Sequence, residues 1–461
     1  MFKISKGVKH NVNVIFVEDI NSLEEFKKLN ELNIFSAKSG EVFNNLDLKN
    51  EGNIYVGINF NETELLNTRM AGFNLGNILK QRKVSEVTLN TKELNDSNLE
   101  ALLEGLADST YNFDFYKAVK NEQLLNELSF NDERIDLITK QLNVMVGVFK
   151  ARDLVNLTPQ ELYPESYANM ILELFKDTNV VVEVMDKKQI EELEMEALLQ
   201  VAKGSNNDPR FVVLKYLPLK EQEDHITIVG KGVTYDSGGY AIKPGGSMAS
   251  MKSDMAGSAA VVGLFNTIAL NKPLANVVGV MALTENMIDG KAYKNGDVIS
   301  TMKKLTVEVV NTDAEGRLTL ADAIYYSATK LNSKVILETS TLTGAAASAL
   351  GGNITAITTK NDELYETIHQ IGNEVGEFNW RMPMTEDLIE RVKSDIAELK
   401  NAVPGAGGMM TAGIFLENFA EDVPFIHLDI AGPAYGNAYK HLPKGASGIM
   451  VKTFYKYLVN N

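Results

Sequence analysis

The first part of the chain alternates short apolar runs with amphipathic stretches. Three runs have the length and β-branched content of strands: NVNVIFVE from Asn11, NIYVGINF from Asn53 and EVTLN from Glu86. Two stretches have the spacing of helices: SLEEFKKLNEL from Ser22 and SNLEALLEGLA from Ser97. This order predicts a smaller N-terminal α/β domain over residues 1–130. No motif in it carries recognisable chemistry.

A longer helical pattern follows this domain. Apolar residues recur there every three or four positions, at Ile135, Ile138, Leu142, Met145 and Phe149. The spacing predicts a helix that ends before the Thr158-Pro159 pair, and Ser129 followed by Asp132 is typical of a capped start. We expect this helix, over residues 131–156, to connect two domains.

The rest of the chain again alternates strands and helices, but its strands are more continuously apolar. They are VVVEV from Val180, FVVLKYL from Phe211, HITIVGKG from His225, NVVGVMAL from Asn276, LTVEVV from Leu305, KVILETS from Lys334 and FIHLDIAG from Phe425. Helical segments such as MAGSAAVVGLFNTIAL from Met255 and LADAIYYSATKL from Leu320 lie between them. Strands of this kind are usually covered on both faces. The pattern predicts a larger C-terminal domain over residues 157–461, with a mixed, largely parallel sheet flanked by helices.

Composition narrows the possible functions. The 461 residues are 44% hydrophobic, without an apolar run long enough to span a membrane, and the first residues lack the apolar region of an export signal. The chain has no Cys and only five His, with no pair at ligand spacing, so a thiolate or His-built metal site is not expected. A net charge of −16 disfavours a general nucleic-acid surface. We therefore expect a globular cytoplasmic protein in which oxygen atoms hold most of any metal.

Charged residues and glycines gather where several of the apolar strands end. The run HITIVGKGVTYDSGGYAIKPGG places Lys231 between two glycines and continues to Asp236, a Gly-Gly pair and Lys243. Downstream, Asp254 stands just before a helix of small residues. Open α/β sheets bind their ligands at the carboxyl ends of strands. The G-x-x-x-x-G-K-[ST] spacing of a phosphate-binding loop is missing from this run.

The stretch VVNTDAEGRLTLADA sets Asp313, Glu315 and Arg317 at alternate positions. If this segment is extended, these side chains share one face, and two carboxylates on one face repel unless a cation lies between them. Asp236 and Asp254 raise the number of acids to four, and a pair of divalent metal ions would neutralise such a set. A carboxylate can bridge two such ions about 3.5 to 4 Å apart, the spacing of two-metal hydrolases.

Each of these features alone has an ordinary explanation. A D-x-E-x-R run is usually a solvated strand edge or an ion-pair ladder, isolated lysines are usually on the surface, and Gly pairs usually form turns. Their joint placement after apolar strands favours a functional site, because ordinary surface charges have no reason to gather at strand ends. Spacing alone does not show that they meet in space.

Five segments resemble the motifs of the leucyl (cytosol) aminopeptidases, which are two-metal exopeptidases of the cytoplasm: VGKGVTYDSGGYAIKP, MKSDMAGSAAV, NTDAEGRL, STLTGA and HLDIAG. The resemblance extends from about Ala151 to Gly448, with the motifs in the family's order. One departure is Ala256, where glycine is expected, and its small methyl group should not disturb Asp254. The first 130 residues match no motif of the family.

The resemblance implies a metal site of five residues. Asp236 and Glu315 would bridge both ions. Lys231 and Asp254 would complete the tighter site, and Asp313 the more exchangeable one. Lys231 must be neutral to donate its lone pair, and a nearby dication together with burial would depress its pKa. These ligands suit Zn²⁺ or Mn²⁺, and they also fit Co²⁺ or Mg²⁺.

The remaining residues implied by the resemblance act on the substrate. Water shared by the metals would attack the first peptide bond, the free α-amine would bind one metal, and protonated Lys243 would polarise the carbonyl. Arg317, with the backbone at Gly316 and Leu318, would hold a bicarbonate that shuttles the proton. The first side chain would enter a pocket near the Leu342 carbonyl, formed by Met251, Thr341, Gly344, Ala431 and Ala434. This lining is largely apolar and small, so Leu and Met should fit.

The resemblance thus predicts a metal-dependent aminopeptidase that removes Leu, Met or other apolar residues from the N-termini of short peptides. Related proteins form dimers of trimers, so it also implies a homohexamer. Two other functions stay open: a different two-metal hydrolase, such as a phosphoesterase, and an accessory role in DNA binding, which the acidic composition disfavours. A purely structural α/β protein would not need so many charged residues at strand ends.

Overall fold

The chain forms two units in a computed structural model that describes residues 2–22, 24–60, 65–122, 124–219 and 224–460. The first unit contains Met1–Val146 together with two later segments, Glu374–Gly376 and Asn437–Pro443. The second contains Gly147–Asn373, Glu377–Gly436 and Lys444–Asn461. No helix among the described residues has an apolar stretch long enough to cross a membrane.

The first unit is an α/β structure, as its alternating pattern predicts. Its elements are the strands β1 (Lys3–Lys6), β2 (Val12–Val17), β3 (Val42–Leu46), β4 (Gly52–Gly57), β5 (Glu86–Asn90) and β6 (Glu127–Phe130), and the helices α1 (Glu24–Glu31), α2 (Leu65–Gln81) and α3 (Asp96–Thr110). The strands form one sheet in the order β1-β6-β5-β2-β4-β3. Every neighbouring pair is parallel except β3 and β4.

The long helix α4 (Ile135–Asn156) begins in the first unit and ends in the second. The cap predicted at its start is wrong, because Ser129 belongs to β6, where the sheet uses its backbone for pairing on both sides. The carboxylate of Asp132 instead accepts hydrogen bonds from Thr91 Oγ1 at 2.7 Å and from the Arg134 N–H at 2.9 Å. The chain therefore turns between the strand and the helix.

The second unit is built on a mixed sheet. Its strands are β7 (Val181–Met185), β8 (Arg210–Tyr216), β9 (His225–Asp236), β10 (Val277–Asn286), β11 (Val298–Ser300), β12 (Thr306–Glu308), β13 (Ser333–Ser340), β14 (Thr355–Thr358), β15 (Asn379–Arg381), β16 (Leu399–Lys400), β17 (Phe425–Asp429), β18 (Tyr435–Gly436) and β19 (Gly445–Ala446). The main sheet has the order β15-β14-β17-β13-β9-β10-β8-β7. Its central strands β17, β13, β9 and β10 are parallel, and an antiparallel pairing follows on each side. This is the mixed, largely parallel sheet that the sequence predicts.

One apolar run lies outside the main sheet. LTVEVV from Leu305 forms β12, which pairs with β11 and β16 in a separate three-stranded sheet. The grouping of this run with the main-sheet strands is therefore wrong. Its apolar residues Val307 and Val309 are buried because they join the large core cluster beside the main sheet. Because its side chains are buried in the core, the short strand β12 has the same continuously apolar sequence as a central strand of the main sheet.

Helices cover the main sheet of the second unit. They are α5 (Pro164–Phe175), α6 (Lys187–Glu192), α7 (Glu196–Ala202), α8 (Gly245–Met248), α9 (Ala256–Asn271), α10 (Gly316–Lys330), α11 (Gly344–Leu350), α12 (Asp362–Val375), α13 (Glu386–Val392), α14 (Gly408–Glu417) and α15 (Val451–Asn460). One large core cluster joins Val229 and Ile336 of the sheet to Leu318 and Ile324 of α10 and to Phe415 of α14. This core fixes α10 against the strands that carry the charged motifs.

Glycines allow α9 to lie directly against β9. A Cβ atom at Gly230 would come within 2.6 Å of the Gly257 carbonyl oxygen, and one at Gly257 would come within 2.1 Å of the Thr339 carbonyl oxygen. Both distances are too short for any side chain, so the helix and the strands are in backbone contact. This contact brings the start of α9, and Asp254 just before it, beside β9.

Helices α4 and α9 cross at a second pair of glycines. A Cβ atom at Gly147 would be 2.3 Å from the Gly263 carbonyl oxygen, and one at Gly263 would be 2.5 Å from the Gly147 carbonyl oxygen. Val148, Ala151 and Val262 are buried next to the crossing. The two backbones therefore meet with no room for a methyl group.

We expect Gly263→Ala to lower the free energy of unfolding by about 1 to 3 kcal/mol, because the added methyl group must push the two helices apart. Gly290→Ala is the matched control, since a Cβ atom there meets nothing within 4 Å. Urea unfolding followed by circular dichroism measures both variants. Equal stability of the two variants would mean that the crossing adjusts without cost.

Candidate metal centre and active site

The charged motifs meet at the carboxyl end of β9. Lys231 lies within β9 and Asp236 ends it, and both are buried. Asp254 follows a short 3-10 turn and precedes α9, while Glu315 immediately precedes α10. Parallel strands and the helices that follow them place these residues at one edge of the sheet, as the sequence predicts.

The segment from residue 313 to 317 is not extended, so the predicted geometry of this stretch is wrong. Glu315 has φ −74° and ψ −38°, and α10 begins with the next residue, so Arg317 lies in the first turn of a helix. The acids converge all the same: carboxylate oxygens of Asp236, Asp313 and Glu315 lie within 4.8 Å of one another. The turn before the buried helix α10 therefore brings the carboxylates together, as a shared strand face would have done.

The ammonium group of Lys231 lies between two acids. Its Nζ is 2.7 Å from Asp254 Oδ2 and 2.9 Å from Glu315 Oε1, and it donates a hydrogen bond of 3.1 Å to the Thr341 carbonyl oxygen. The lysine stem packs on Gly316, where a Cβ atom would be 2.3 Å from Lys231 Cε. Glycine at position 316 therefore makes room for Lys231 inside the cluster.

Lys243 lies between the other two acids. Its Nζ is 2.8 Å from Asp236 Oδ2 and 2.6 Å from Asp313 Oδ1. Asp236 Oδ1 in turn accepts hydrogen bonds of 2.8 Å from the Gly238 N–H and from Asn286 Nδ2. Four carboxylates and two ammonium groups thus occupy one buried region, with a formal excess of two negative charges.

Burial and mutual charge shift the pKa values of this cluster. Burial raises the pKa of Asp254 well above its usual range and also raises that of Asp236, and repulsion from Glu315 adds to both effects. Burial lowers the pKa of Lys231, but attraction by Asp254, Glu315 and Asp236 outweighs burial and raises it. Burial also lowers the pKa of Lys243, but attraction by Asp236 and Glu315 outweighs burial and raises it. A metal ligand at this position must be neutral. Lys231 can therefore lose its proton only if a bound cation offsets the attraction of the acids and lowers its pKa.

The cluster fits divalent cations. Among the described residues, Glu315 Oε2 is buried and makes neither a hydrogen bond nor an ion pair. A buried carboxylate oxygen without a partner costs free energy that an ion would recover. Oxygen-rich donors with excess negative charge are the chemistry that divalent metals prefer. The residues predicted as metal ligands, Lys231, Asp236, Asp254, Asp313 and Glu315, are all at this cluster.

Arg317 is buried in the first turn of α10, behind the cluster. Burial lowers its pKa to about 10, while Glu315 and Asp429 oppose this shift, so the guanidinium is charged at neutral pH. Its Nε has no hydrogen-bond partner among the described residues. The N–H of Leu318 donates to the Glu315 carbonyl oxygen at 2.9 Å. The bicarbonate contacts at Gly316, Arg317 and Leu318 stay a prediction.

Two of the predicted substrate contacts are tied directly to the charged cluster. Thr341 Oγ1 donates a hydrogen bond of 2.8 Å to Asp254 Oδ1, and the carbonyl oxygen of Met251 accepts one of 3.3 Å from the Asp254 N–H. The N–H groups of Leu342 and Ala431 both donate to Asp429 Oδ1, which brings their two loops together. These four residues therefore lie on segments that border the cluster or each other.

The remaining two predicted substrate contacts have no direct tie to the cluster. Gly344 begins α11, and a Cβ atom there would meet nothing within 4 Å. Ala434 is buried, and its N–H donates to the Ile430 carbonyl oxygen at 3.0 Å. Neither residue shares a hydrogen bond with the acids or lysines among the described residues. Their part in a substrate pocket stays a prediction.

Sequence reasoning missed three residues that hold the site together. Asn286, at the end of β10, donates through Nδ2 to Asp236 and at 3.0 Å to the Thr312 carbonyl oxygen. Tyr293 donates at 2.8 Å to the same carbonyl oxygen, and burial keeps its pKa well above the usual range, so it stays a donor. Asp429 binds the two loops just described. Asn286 and Asp429 end apolar strands, and that position was the one available signal.

Comparison with known proteins places the chain in a family. The model of the cytosol aminopeptidase family, catalytic domain, matches residues 149–455. A probable cytosol aminopeptidase of Treponema denticola is 40% identical, over 99% of this chain and 99% of its own length. One of Clostridium perfringens is 39% identical, over 95% of this chain and 92% of its own length.

Solved structures give the same result for the fold. The bottromycin maturation enzyme BotP has a TM-score of 0.89 at 28% identity, covering 98% of this chain and 99% of that one. A structure of BotP in complex with Mn has a TM-score of 0.89 at 29% identity, with the same coverage. With the family model over most of its length and relatives aligned along nearly all of it, the chain belongs to the cytosol aminopeptidase family of metal-dependent aminopeptidases.

Proposed function

We propose that this chain removes Leu, Met and other apolar residues from the N-termini of short peptides in the cytoplasm, with two divalent metal ions in each subunit. The observation that carries the proposal is the convergence of Asp236, Asp254, Asp313 and Glu315 around Lys231 and Lys243 at the carboxyl end of β9. A buried set of acids with excess charge is costly unless cations bind to it. The family membership of the chain supports the same reaction.

The proposed metal ligands are Lys231, Asp236, Asp254, Asp313 and Glu315. Zn²⁺ or Mn²⁺ are the proposed ions, and BotP in complex with Mn supports the second. Co²⁺ and Mg²⁺ also suit the oxygen-rich set. When bound, such ions supply a Lewis acid and a source of hydroxide at neutral pH.

Lys243 is the residue proposed to act on the scissile carbonyl. It is partly exposed, with 15% of its side chain accessible, whereas Lys231 has 3%. Attraction by the acids keeps it protonated, so it can donate to the carbonyl oxygen as negative charge develops there. The difference in exposure is the reason to assign Lys231 to the metals and Lys243 to the substrate.

Arg317 is proposed to hold a bicarbonate ion that accepts and returns a proton during the reaction. Its buried guanidinium stays cationic at neutral pH, and its Nε, which has no partner within the part of the chain that the structure describes, offers one donor. The positive end of the α10 dipole favours an anion at the same place, near Gly316. The backbone at Leu318 is the third proposed contact, and its N–H donates to the Glu315 carbonyl oxygen at 2.9 Å.

The proposed specificity comes from the loops that follow β13 and β17. Thr341, Leu342 and Gly344 lie after β13, and Ala431 and Ala434 lie after β17, while Met251 precedes α9. Except for Thr341, these side chains are apolar or absent. Acidic side chains would meet a lining without a positive partner, and Leu or Met would bury apolar surface there.

The enzyme loaded with metal should hydrolyse Leu-amide and leave N-acetyl-Leu-amide intact, because an aminopeptidase requires the free N-terminal amine. Removal of the metals with a chelator should abolish the reaction, and Mn²⁺ or Zn²⁺ should restore it.

Asp254→Ala should lose both metal and hydrolysis while the circular dichroism spectrum is kept. Hydrolysis of a phosphate ester with no activity on Leu-amide would favour the phosphoesterase alternative instead.

Lys243→Ala should lower kcat by about 10²-fold or more while metal content stays at the wild-type level, because the ammonium group acts on charge that develops in the transition state. Lys294→Ala is the matched control, since the Lys294 side chain is 62% exposed and forms its ion pair with Asp297 at the surface. Steady-state kinetics with metal analysis of the same samples separates the two roles. Loss of metal in Lys243→Ala would show that this lysine maintains the cluster itself.

We further propose a homohexamer arranged as a dimer of trimers, on the strength of family membership. A closed assembly would restrict access to short peptides and so protect folded cytoplasmic proteins from an enzyme with little side-chain selectivity. Light scattering at working concentration should give about six times the 50.8 kDa of one chain. A fully active species of one or two chains would exclude the hexamer as the functional form.

Because the chain has a net charge of −16, gel shifts with DNA should remain negative at physiological salt.

A further inference from the structure

Another buried acid, Asp429, lies beside the charged cluster but, among the described residues, belongs to none of its ion pairs. It ends β17 and only 1% of it is exposed. Oδ1 accepts hydrogen bonds from the N–H groups of Leu342 at 3.2 Å, Thr343 at 3.4 Å and Ala431 at 3.1 Å. Oδ2 accepts one of 2.7 Å from Thr343 Oγ1. One carboxylate thus receives four donors from two different loops.

The two loops leave the sheet side by side. Ser340 is the register partner of Asp429 in the parallel pair β13 and β17, and the Ile430 N–H donates to the Ser340 carbonyl oxygen at 2.8 Å. Beyond these residues the strand pairing ends. From there on, the Asp429 carboxylate provides the hydrogen bonds that hold the loops together.

The loop after β13 also contacts the metal cluster. The Thr341 carbonyl oxygen accepts from Lys231 Nζ at 3.1 Å, and Thr341 Oγ1 donates to Asp254 Oδ1 at 2.8 Å. A shift of this loop therefore changes the edge of the site, while the acids themselves lie on β9 and on the segments that lead into α9 and α10. A substitution at Asp429 changes the loop while every proposed metal ligand keeps its own side chain.

The same carboxylate controls the start of α11. Thr343 Oγ1 donates to Asp429 and accepts a hydrogen bond of 3.1 Å from the Ala346 N–H, so it caps the helix. With its hydroxyl hydrogen directed to Asp429, Thr343 has a lone pair available for the helix. The orientation of the helix start, including Gly344, is therefore linked to Asp429.

We propose that Asp429 is a positioning residue that fixes the separation of the two loops after β13 and β17, and that this separation sets the enzyme's choice among first side chains. The proposal deepens the proposed function and rests on it. Asp429 is placed to act through backbone groups of other residues, without touching metal or substrate. Its effect should therefore appear in selectivity and in loop protection, while metal binding is kept.

The test variant is Asp429→Asn, which has the same shape but replaces the acceptor Oδ2 with an amide donor. An amide donor cannot accept the hydroxyl hydrogen of Thr343, so the hydrogen bond that Thr343 Oγ1 donates to Oδ2 is lost, and the charge with it. Thr343→Val is a milder second variant that removes only the hydroxyl. If Asp429→Asn fails to fold, Thr343→Val carries the same test.

Asp322→Asn is the matched control. Asp322 is another fully buried acid of the same unit, and it also accepts backbone N–H groups, from Leu198 at 3.0 Å and from Met302 at 2.8 Å. Neither of these residues lies on the loops in question. A general effect of losing a buried carboxylate should therefore appear in both variants, whereas an effect on the two loops should appear only in Asp429→Asn.

Hydrogen exchange of the full chain, read by mass spectrometry, tests the loop contact without depending on activity. In Asp429→Asn, peptides covering residues 341–346 and 430–434 should exchange about tenfold faster, while peptides covering β9 and α9 are unchanged. In Asp322→Asn the faster peptides should be those at Leu198 and Met302. Unchanged exchange at both loops in Asp429→Asn would overturn the proposal.

Kinetics test the consequence for selectivity. The ratio of kcat/KM for Leu-amide over Ala-amide should change by about tenfold in Asp429→Asn with metal content kept, and stay at the wild-type value in Asp322→Asn. A uniform loss on both substrates, with the ratio kept, would make Asp429 merely structural and overturn the proposal. Wild-type enzyme that hydrolyses neither amide would instead overturn the proposed function, whatever the exchange result.

Discussion

The cost of gathering buried carboxylates at one sheet edge governs the second unit of this protein. Asp236, Asp254 and Glu315 are almost wholly buried, and Asp313 is half-buried beside them. Two lysines compensate part of this charge from inside the cluster, each between a different pair of acids. Much of the surrounding structure serves to make that arrangement possible. Gly316 gives Lys231 its space, and Gly257 lets the helix after Asp254 lie against the strand that carries Lys231.

The main outlines of the fold follow from apolar periodicity, because burial on both faces leaves a clear pattern in the sequence. The strands of the main sheet and the helices between them were predictable for this reason. Prediction from apolar periodicity fails where two different structures produce the same sequence pattern. LTVEVV is buried by the core beside the sheet, and this burial gives it the pattern of a main-sheet strand. Helix α10 begins at Gly316, four residues before the amphipathic segment from Leu320. The apolar pattern misses these residues because the first turn carries charge into a buried site. The extended geometry predicted for Asp313 to Arg317 fails for the same reason.

The membership of the site was predictable to a large extent, but its internal pairing was not. Motif order and placement at strand ends gave all five proposed ligands, Lys231 among them, and also Lys243. Which lysine pairs with which acids depends on the register of β9 and on the turn before α10, and neither is written in local sequence. Asn286 donates to the Asp236 side chain and to the Thr312 backbone, and Asp429 accepts from residues of two loops, so no spacing or periodicity identifies them.

The empty space beside Gly344 bears on how this scaffold can diversify. Most glycines around the site are fixed, since a methyl group at Gly257 or Gly316 would collide with backbone or with Lys231. Gly344 begins α11 without a positive φ, and a side chain there would meet nothing within 4 Å. A methyl group at this position would therefore leave the buried charges undisturbed. Position 344 can thus vary independently of the four acids and two lysines on which the chemistry of the cluster depends.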